Sequence, residues 1–187
     1  MANANNSIIT GKFTGMLGKE LVFREWDGMT IVAKAPKARR SKPSVAEETI
    51  RERFLIASQY ARAVSKNPDQ AMAAEYAAAL RPRQNVYSRA LEDCLKPPKV
   101  KDINAEAYSG AAGSRISIKA VDDFRVTEVK VFIYGADSTL LETGLAESNG
   151  VLWDYTATQE NNAVAGTKIV AVATDLPGNE GVLEITL

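Results

Sequence analysis

Apolar residues recur with one period over the first 35 positions, another over 45–95 and a third beyond 100. Each change of period marks a change of architecture. The run Leu21-Val-Phe-Arg-Glu-Trp26, the pair Asp27-Gly28 and the run Met29-Thr-Ile-Val-Ala-Lys34 predict a two-residue β-hairpin, because a type I′ turn needs positive φ at both central positions. Pairing about that turn sets Trp26 opposite Met29, Arg24 opposite Ile31 and Phe23 opposite Val32. Val22, Trp26, Met29, Ile31 and Ala33 then share one face, and Leu21, Phe23 and Val32 the other. Apolar side chains on both faces ask for two partners, either the helices that follow or another copy of the chain. The preceding segment, 8–18, is β-prone, with Ile8, Ile9 and Phe13 punctuated by Gly11, Gly15 and Gly18. It is expected to add a third strand to this hairpin or to a neighbour's.

Lys34, Lys37, Arg39, Arg40 and Lys42 then form an extended basic loop around Pro36 and before Pro43. Ser44 followed by Glu47 makes a capping box, and Ile50, Phe54, Ala57, Ala61 and Val64 lie at helical spacing, so a helix is expected over 45–66. Asn67-Pro68-Asp69 restarts an Ala-rich helix over about 69–80, which Pro82 stops. Val86, Tyr87, Ala90, Leu91, Cys94 and Leu95 mark a third helix ending before Pro97.

Beyond Val100 the period becomes two. Ile116, Ile118 and Ala120 alternate with Arg115, Ser117 and Lys119. Val129, Val131 and Ile133 follow, then Trp153, Tyr155 and Ala157, then Ile169, Ala171 and Ala173, then Leu183, Ile185 and Leu187. About seven short strands separated by turn residues predict a β-sandwich. The fold class is therefore α+β: a hairpin or meander plus three helices over 1–96, a Pro-Pro linker over 97–100, and an all-β sandwich over 101–187.

The second half resembles bacterial immunoglobulin-like domains. The resemblance is carried by Gly113-Ser-Arg-Ile-Ser-Ile-Lys-Ala-Val-Asp-Asp123, Trp153-Asp-Tyr-Thr-Ala-Thr158 and the segment from Gly166 to Asn179, whose Ala173-Thr-Asp-Leu-Pro-Gly-Asn179 matches that family's strand end. It implies the sandwich and no single function, since the fold serves as adhesin repeat, spacer, carbohydrate binder and virion decoration. The first half, with Gly15-x-x-Gly-Lys-x-Leu-Val-Phe23 and Gly28-x-Thr-Ile-Val32, is similar to uncharacterised Bacteroidota proteins, which implies no activity.

Charge is divided along the same line. The chain is formally neutral, yet residues 1–100 hold 17 basic and 10 acidic side chains, whereas 101–187 hold 6 and 13. Halves of opposite sign attract within a molecule or between neighbours. The chain has no histidine, which excludes Ser-His-Asp and Cys-His nucleophiles and His-ligated metals, and it carries no Walker A, GxGxxG or GxSxG pattern. One cysteine, Cys94, excludes an intrachain disulfide and fits a small hydrophobe better than a reactive thiol. No apolar run reaches the roughly 20 residues of a membrane span, and the start lacks a signal-peptide pattern, which points to a cytoplasmic location or to a particle released from the cell.

The sequence thus points to a non-enzymatic structural protein that associates with itself, or with another assembly protein, into a filament, ring or particle. Ile8, Ile9, Phe13, Leu21, Phe23, Trp26, Met29 and Ile31 are its candidate contacts. The alternatives are a nucleic-acid binder using the basic loop and a carbohydrate- or cell-surface-binding sandwich with stacking aromatics such as Trp26, Phe132 and Tyr134. Asp122, Asp123, Asp175 and Asn179 should converge at the pole of the sandwich facing the helices. There they either supply oxygens to calcium or hold the loops through local hydrogen bonds. No other cofactor is expected.

Overall fold

The computed structural model describes the backbone of residues 2–3 and residues 13–26, 28–37, 42–67 and 71–187 in full. Ile8, Ile9, Arg39 and Arg40, together with Asp27, Pro68 and Asp69, lie outside the described residues. The fold is α+β, with three helices and three antiparallel sheets. Two compact units divide the chain, Met1–Ile50 and Arg51–Leu187. The expected helix–sandwich linker at 97–100 is therefore not where the units part.

The first unit holds one sheet of β1 (Ala2–Asn3), β2 (Gly15–Leu17), β3 (Leu21–Trp26) and β4 (Met29–Lys34), in the order β1-β4-β3-β2. The β3–β4 register sets Trp26 against Met29, Arg24 against Ile31 and Phe23 against Val32, as the turn chemistry requires. Gly28 takes a φ of 71°, a conformation open to glycine without steric penalty.

Three helices follow: α1 (Val45–Lys66), α2 (Ala71–Ala78) and α3 (Val86–Leu95). The Ser44 hydroxyl accepts from the Glu47 amide, and the Glu47 carboxylate accepts from the Ser44 amide, which closes the expected capping box of α1. Asn85 and Ser88 make the equivalent reciprocal cap on α3. The apolar stripe of α1 is buried only from Ala57 onward, at Ala57, Ala61 and Val64, while Ile50 and Phe54 are exposed. Length explains the difference. At 1.5 Å per residue the 22 residues of α1 reach about 33 Å, more than twice the span of α3 with its 10, so short partners cover one end only.

The sandwich has two four-stranded sheets. One runs β5-β6-β10-β9, from β5 (Lys99–Asn104), β6 (Arg115–Val121), β9 (Glu147–Ser148) and β10 (Trp153–Thr156). The other runs β12-β11-β7-β8, from β7 (Val126–Tyr134), β8 (Leu140–Leu145), β11 (Lys168–Asp175) and β12 (Glu180–Thr186). Strict alternation places Ile116 and Ile118 of one sheet and Val129, Val131, Ile133, Ile169, Ala171 and Ala173 of the other at zero exposure in a single core. The helices share a second core with the sandwich: Ala61, Val64, Ala73, Tyr76 and Ala90 pack against Phe124 from the β6–β7 loop and Leu176 from the β11–β12 loop. Pro98 is buried, and a side chain at Gly181 would collide with the Pro98 carbonyl, so the Pro-Pro segment is packed onto β12. No helix among the described residues is long and apolar enough to cross a membrane.

Candidate functional site

The candidate contact residues of the first unit separate into two groups. Phe23 is buried, its ring edge-on to Phe13 at 6.0 Å, and Thr30 on the same face is buried as well. Phe23 is therefore a core residue, because the face it shares with Thr30 and Val32 is the covered one. Phe13 and Trp26 remain about half exposed, Leu21 is 37% exposed, and Met29 and Ile31 are partly covered. Sequence reasoning passed over two of the most exposed apolar side chains in the sheet, Met16 at 58% and Leu17 at 61%, both on β2.

Among the described residues that strand ends the sheet: Gly15-Met16-Leu17 pairs with β3 and with no other described strand, and all three residues are exposed. Every edge strand of the sandwich carries charge, by contrast: Lys99, Lys101 and Asp102 on β5, Glu147 on β9, Glu180 and Glu184 on β12, and Glu142 on β8. Glu142 points inward, 8% exposed, and its Oε2 accepts from the Thr158 amide, the Thr158 hydroxyl and the Gln159 amide. Charges on or behind an edge deter strand addition. β2 carries none.

Of the basic loop, Lys34, Lys37 and Lys42 are described, and all three are exposed. Phe132 and Tyr134 are half-buried and stack at 6.5 Å, with the Lys130 ammonium 5.2 Å from the Phe132 ring, so these aromatics are engaged with the sheet's own side chains.

The second unit brings Asp122, Asp123, Asp175 and Asn179 to the pole that meets the helices, as expected. Asp123 accepts from Arg89 Nη1 at 2.7 Å and from Arg81 Nη2 at 3.1 Å, and its carbonyl accepts from Arg89 Nη2 at 2.8 Å. These guanidinium bonds hold its carboxyl down at about 2. Arg89 is itself buried, 5.3 Å from the Phe124 ring. Asp122 accepts from the Phe124 amide at 2.8 Å, and Asp175 accepts from the Asn179 amide at 2.6 Å and its Nδ2 at 2.7 Å. Asn179 Nδ2 also reaches the Cys94 carbonyl at 3.3 Å, tying the β11–β12 loop to α3.

These bonds are those of loops and a docking joint. No group of three or more acidic or thiol side chains among the described residues is arranged to hold a metal ion. Calcium would have to displace the arginines from Asp123, which the geometry does not favour.

Behind the ionic joint lies a buried polar chain invisible in the sequence. Tyr60 and Tyr76 share a hydrogen bond at 2.9 Å, and Tyr76 donates to Asp93 Oδ2 at 2.6 Å. Asp93 has no exposure, and its Oδ1 has no partner. Burial first, and the nearby Asp122 and Asp175 charges in addition, push its carboxyl up to about 7 despite the Tyr76 bond and Arg89. Burial also raises Asp175, and it raises the Cys94 thiol, which fits a packing role for that cysteine. Helical spacing does place Asp93 seven residues beyond Val86 on the covered face of α3, and this was the one signal that could have found it.

No protein-family model and no curated protein matches the chain. Among solved structures, the crystal structure of an engineered protein aligns at 16% identity over 53% of this chain and 21% of its own, with a TM-score of 0.33. A likeness that slight assigns neither fold family nor activity.

Proposed function

We propose that the protein is a non-enzymatic assembly component whose copies associate through the N-terminal sheet, with an immunoglobulin-like sandwich as the partner module. The carrying observation is the contrast between edges: β2 is exposed, apolar and uncharged, whereas each sandwich edge bears charge. A bare edge supports strand addition by main-chain hydrogen bonds, and Met16, Leu17, Phe13 and Trp26 supply apolar area to accompany it. The immunoglobulin-like reading is supported by strand order. Sheets β5-β6-β10-β9 and β12-β11-β7-β8 correspond to A-B-E-D facing G-F-C with one added strand beside C. Much of the complementary charge is directed inward, through Arg89, Arg81 and Lys96 on Asp123, so association rests on the sheet more than on ionic contact.

Size-exclusion chromatography tests the reading. The full chain should elute as an oligomer, and Leu17→Lys, Trp26→Asp or removal of residues 1–18 should return it to monomer. Elution unchanged by all three would refute it.

A further inference from the structure

The outermost hairpin turn of the first unit places a lysine where the backbone resists one. Leu17, Gly18, Lys19 and Glu20 form a β-turn within the three-residue connection between β2 and β3, closed by the Glu20 amide donating to the Leu17 carbonyl at 3.1 Å, with Gly18 at φ 59° and Lys19 at φ 58°. Left-handed backbone costs a side-chain-bearing residue roughly 1 kcal/mol, a penalty glycine avoids and asparagine largely avoids. Lysine at that corner is unfavourable for the turn alone.

The sheet brings two further lysines to the same end. Leu21 pairs with Lys34, and the Ala35 amide donates to the Glu20 carbonyl at 2.7 Å, which carries the chain leaving β4 alongside the turn as far as Pro36 and Lys37. Between them opens a cleft of about 920 Å³ lined by the apolar Leu21, Ala35 and Pro36 and by Lys19, Lys34 and Lys37. Glu20 is the single acid among the described residues of its lining. All three lysines are exposed, and none forms an ion pair among the described residues. Three unmatched cations around one concave surface repel one another until an anion joins them.

We propose that this cleft is a binding site for a multiply charged anion of the phosphate class. Lysines are point-charge donors suited to phosphate oxygens, and three of them outnumber the one carboxylate that would oppose a phosphate. Among its described residues the lining contains no aromatic ring on which a base could stack, so recognition is of the charged groups. Such a ligand arrives either as a free oligophosphate or as the backbone of a nucleic acid, and both present the same oxygens.

The test is isothermal titration of the full chain at low salt with sodium tripolyphosphate and, separately, with a mixed-sequence single-stranded oligonucleotide. Lys19→Asn preserves the left-handed corner, so the triple variant K19N/K34Q/K37Q removes charge with little strain on the fold. Each lysine removed should weaken binding roughly tenfold and reduce the salt dependence by about one logarithmic unit per decade. Lys119→Gln, on the sandwich, should change neither. Tripolyphosphate binding lost in the triple variant establishes the site; oligonucleotide binding alone, with the same loss, assigns a nucleic-acid backbone as the source. Binding by neither, or binding undiminished in the triple variant, overturns the proposal. The outcome is separate from association, because Leu17→Lys leaves all three lysines in place.

Discussion

Replacing Asp93 with asparagine should stabilise the protein above neutral pH and do little near pH 4.5. The carboxyl is fully buried, with Oδ2 receiving the Tyr76 hydroxyl and Oδ1 receiving nothing, and its folded value of about 7 stands above the ordinary 3.8. A group with a raised folded value binds its proton more tightly folded than unfolded. Its stabilising contribution is complete below the unfolded value and disappears as pH rises through the folded one. Between 3.8 and about 7 the loss amounts to roughly 4 kcal/mol at most, since each unit is worth about 1.4 kcal/mol. Asparagine keeps an oxygen for the Tyr76 hydroxyl and carries no charge to desolvate. Asp93→Asn should therefore gain up to about 4 kcal/mol at pH 8.5, a rise in Tm on the order of 10 °C for a domain of this size, and only about 1 kcal/mol at pH 4.5. Urea or thermal unfolding of both proteins at the two pH values measures the difference. Equal effects at both values, or a wild-type stability flat from pH 5 to 8, would show that the buried chain from Tyr60 through Tyr76 to Asp93 does not hold a displaced proton.

Other perturbations address the joint and the sandwich. Asp123→Ala leaves the buried Arg89 with the backbone carbonyl of position 123 and a looser ion pair to Glu92 at 3.5 Å, and should cost about 2–4 kcal/mol in chemical denaturation. Asp123 has the opposite pH sign to Asp93. Held at about 2, it contributes stability above pH 3.8 that vanishes as pH falls through 2, so these two carboxyls together place the stability maximum near pH 3.8, with losses on either side. Gly181→Ala pushes a methyl group into the Pro98 carbonyl and should destabilise by about 1–3 kcal/mol, whereas Gly178→Asn, in open space with φ 91°, should cost less; thermal melts compare the two.

What could be read from the residues alone was local. The register about Asp27-Gly28, the Ser44 cap, the bounds of α1 and α3 and the alternation from Ile116 to Ile185 depend on neighbours within a few positions, and each of these matches the fold. The convergence of Asp122, Asp123, Asp175 and Asn179 followed from sandwich geometry as well. Burial set by distant segments was not legible. Phe23 shares a face of β3 with Leu21, yet it alone is buried, under Phe13, and the Ile50–Phe54 part of α1 outruns its short partners. The loop residues Phe124 and Leu176 look like ordinary turn neighbours, but they complete the helical core and thereby join α2 and α3 to the sandwich. The same docking hides Asp93, whose raised proton affinity arises only when carboxylates 29 and 82 residues further along the chain fold against it.

Sedimentation velocity of the full chain over a hundredfold range of concentration reads association through the N-terminal sheet. Association gives a weight-average mass that rises with concentration to a multiple of the single chain, with Leu17→Lys fixed at one chain throughout. A wild type that sediments as a single chain at every concentration would contradict it.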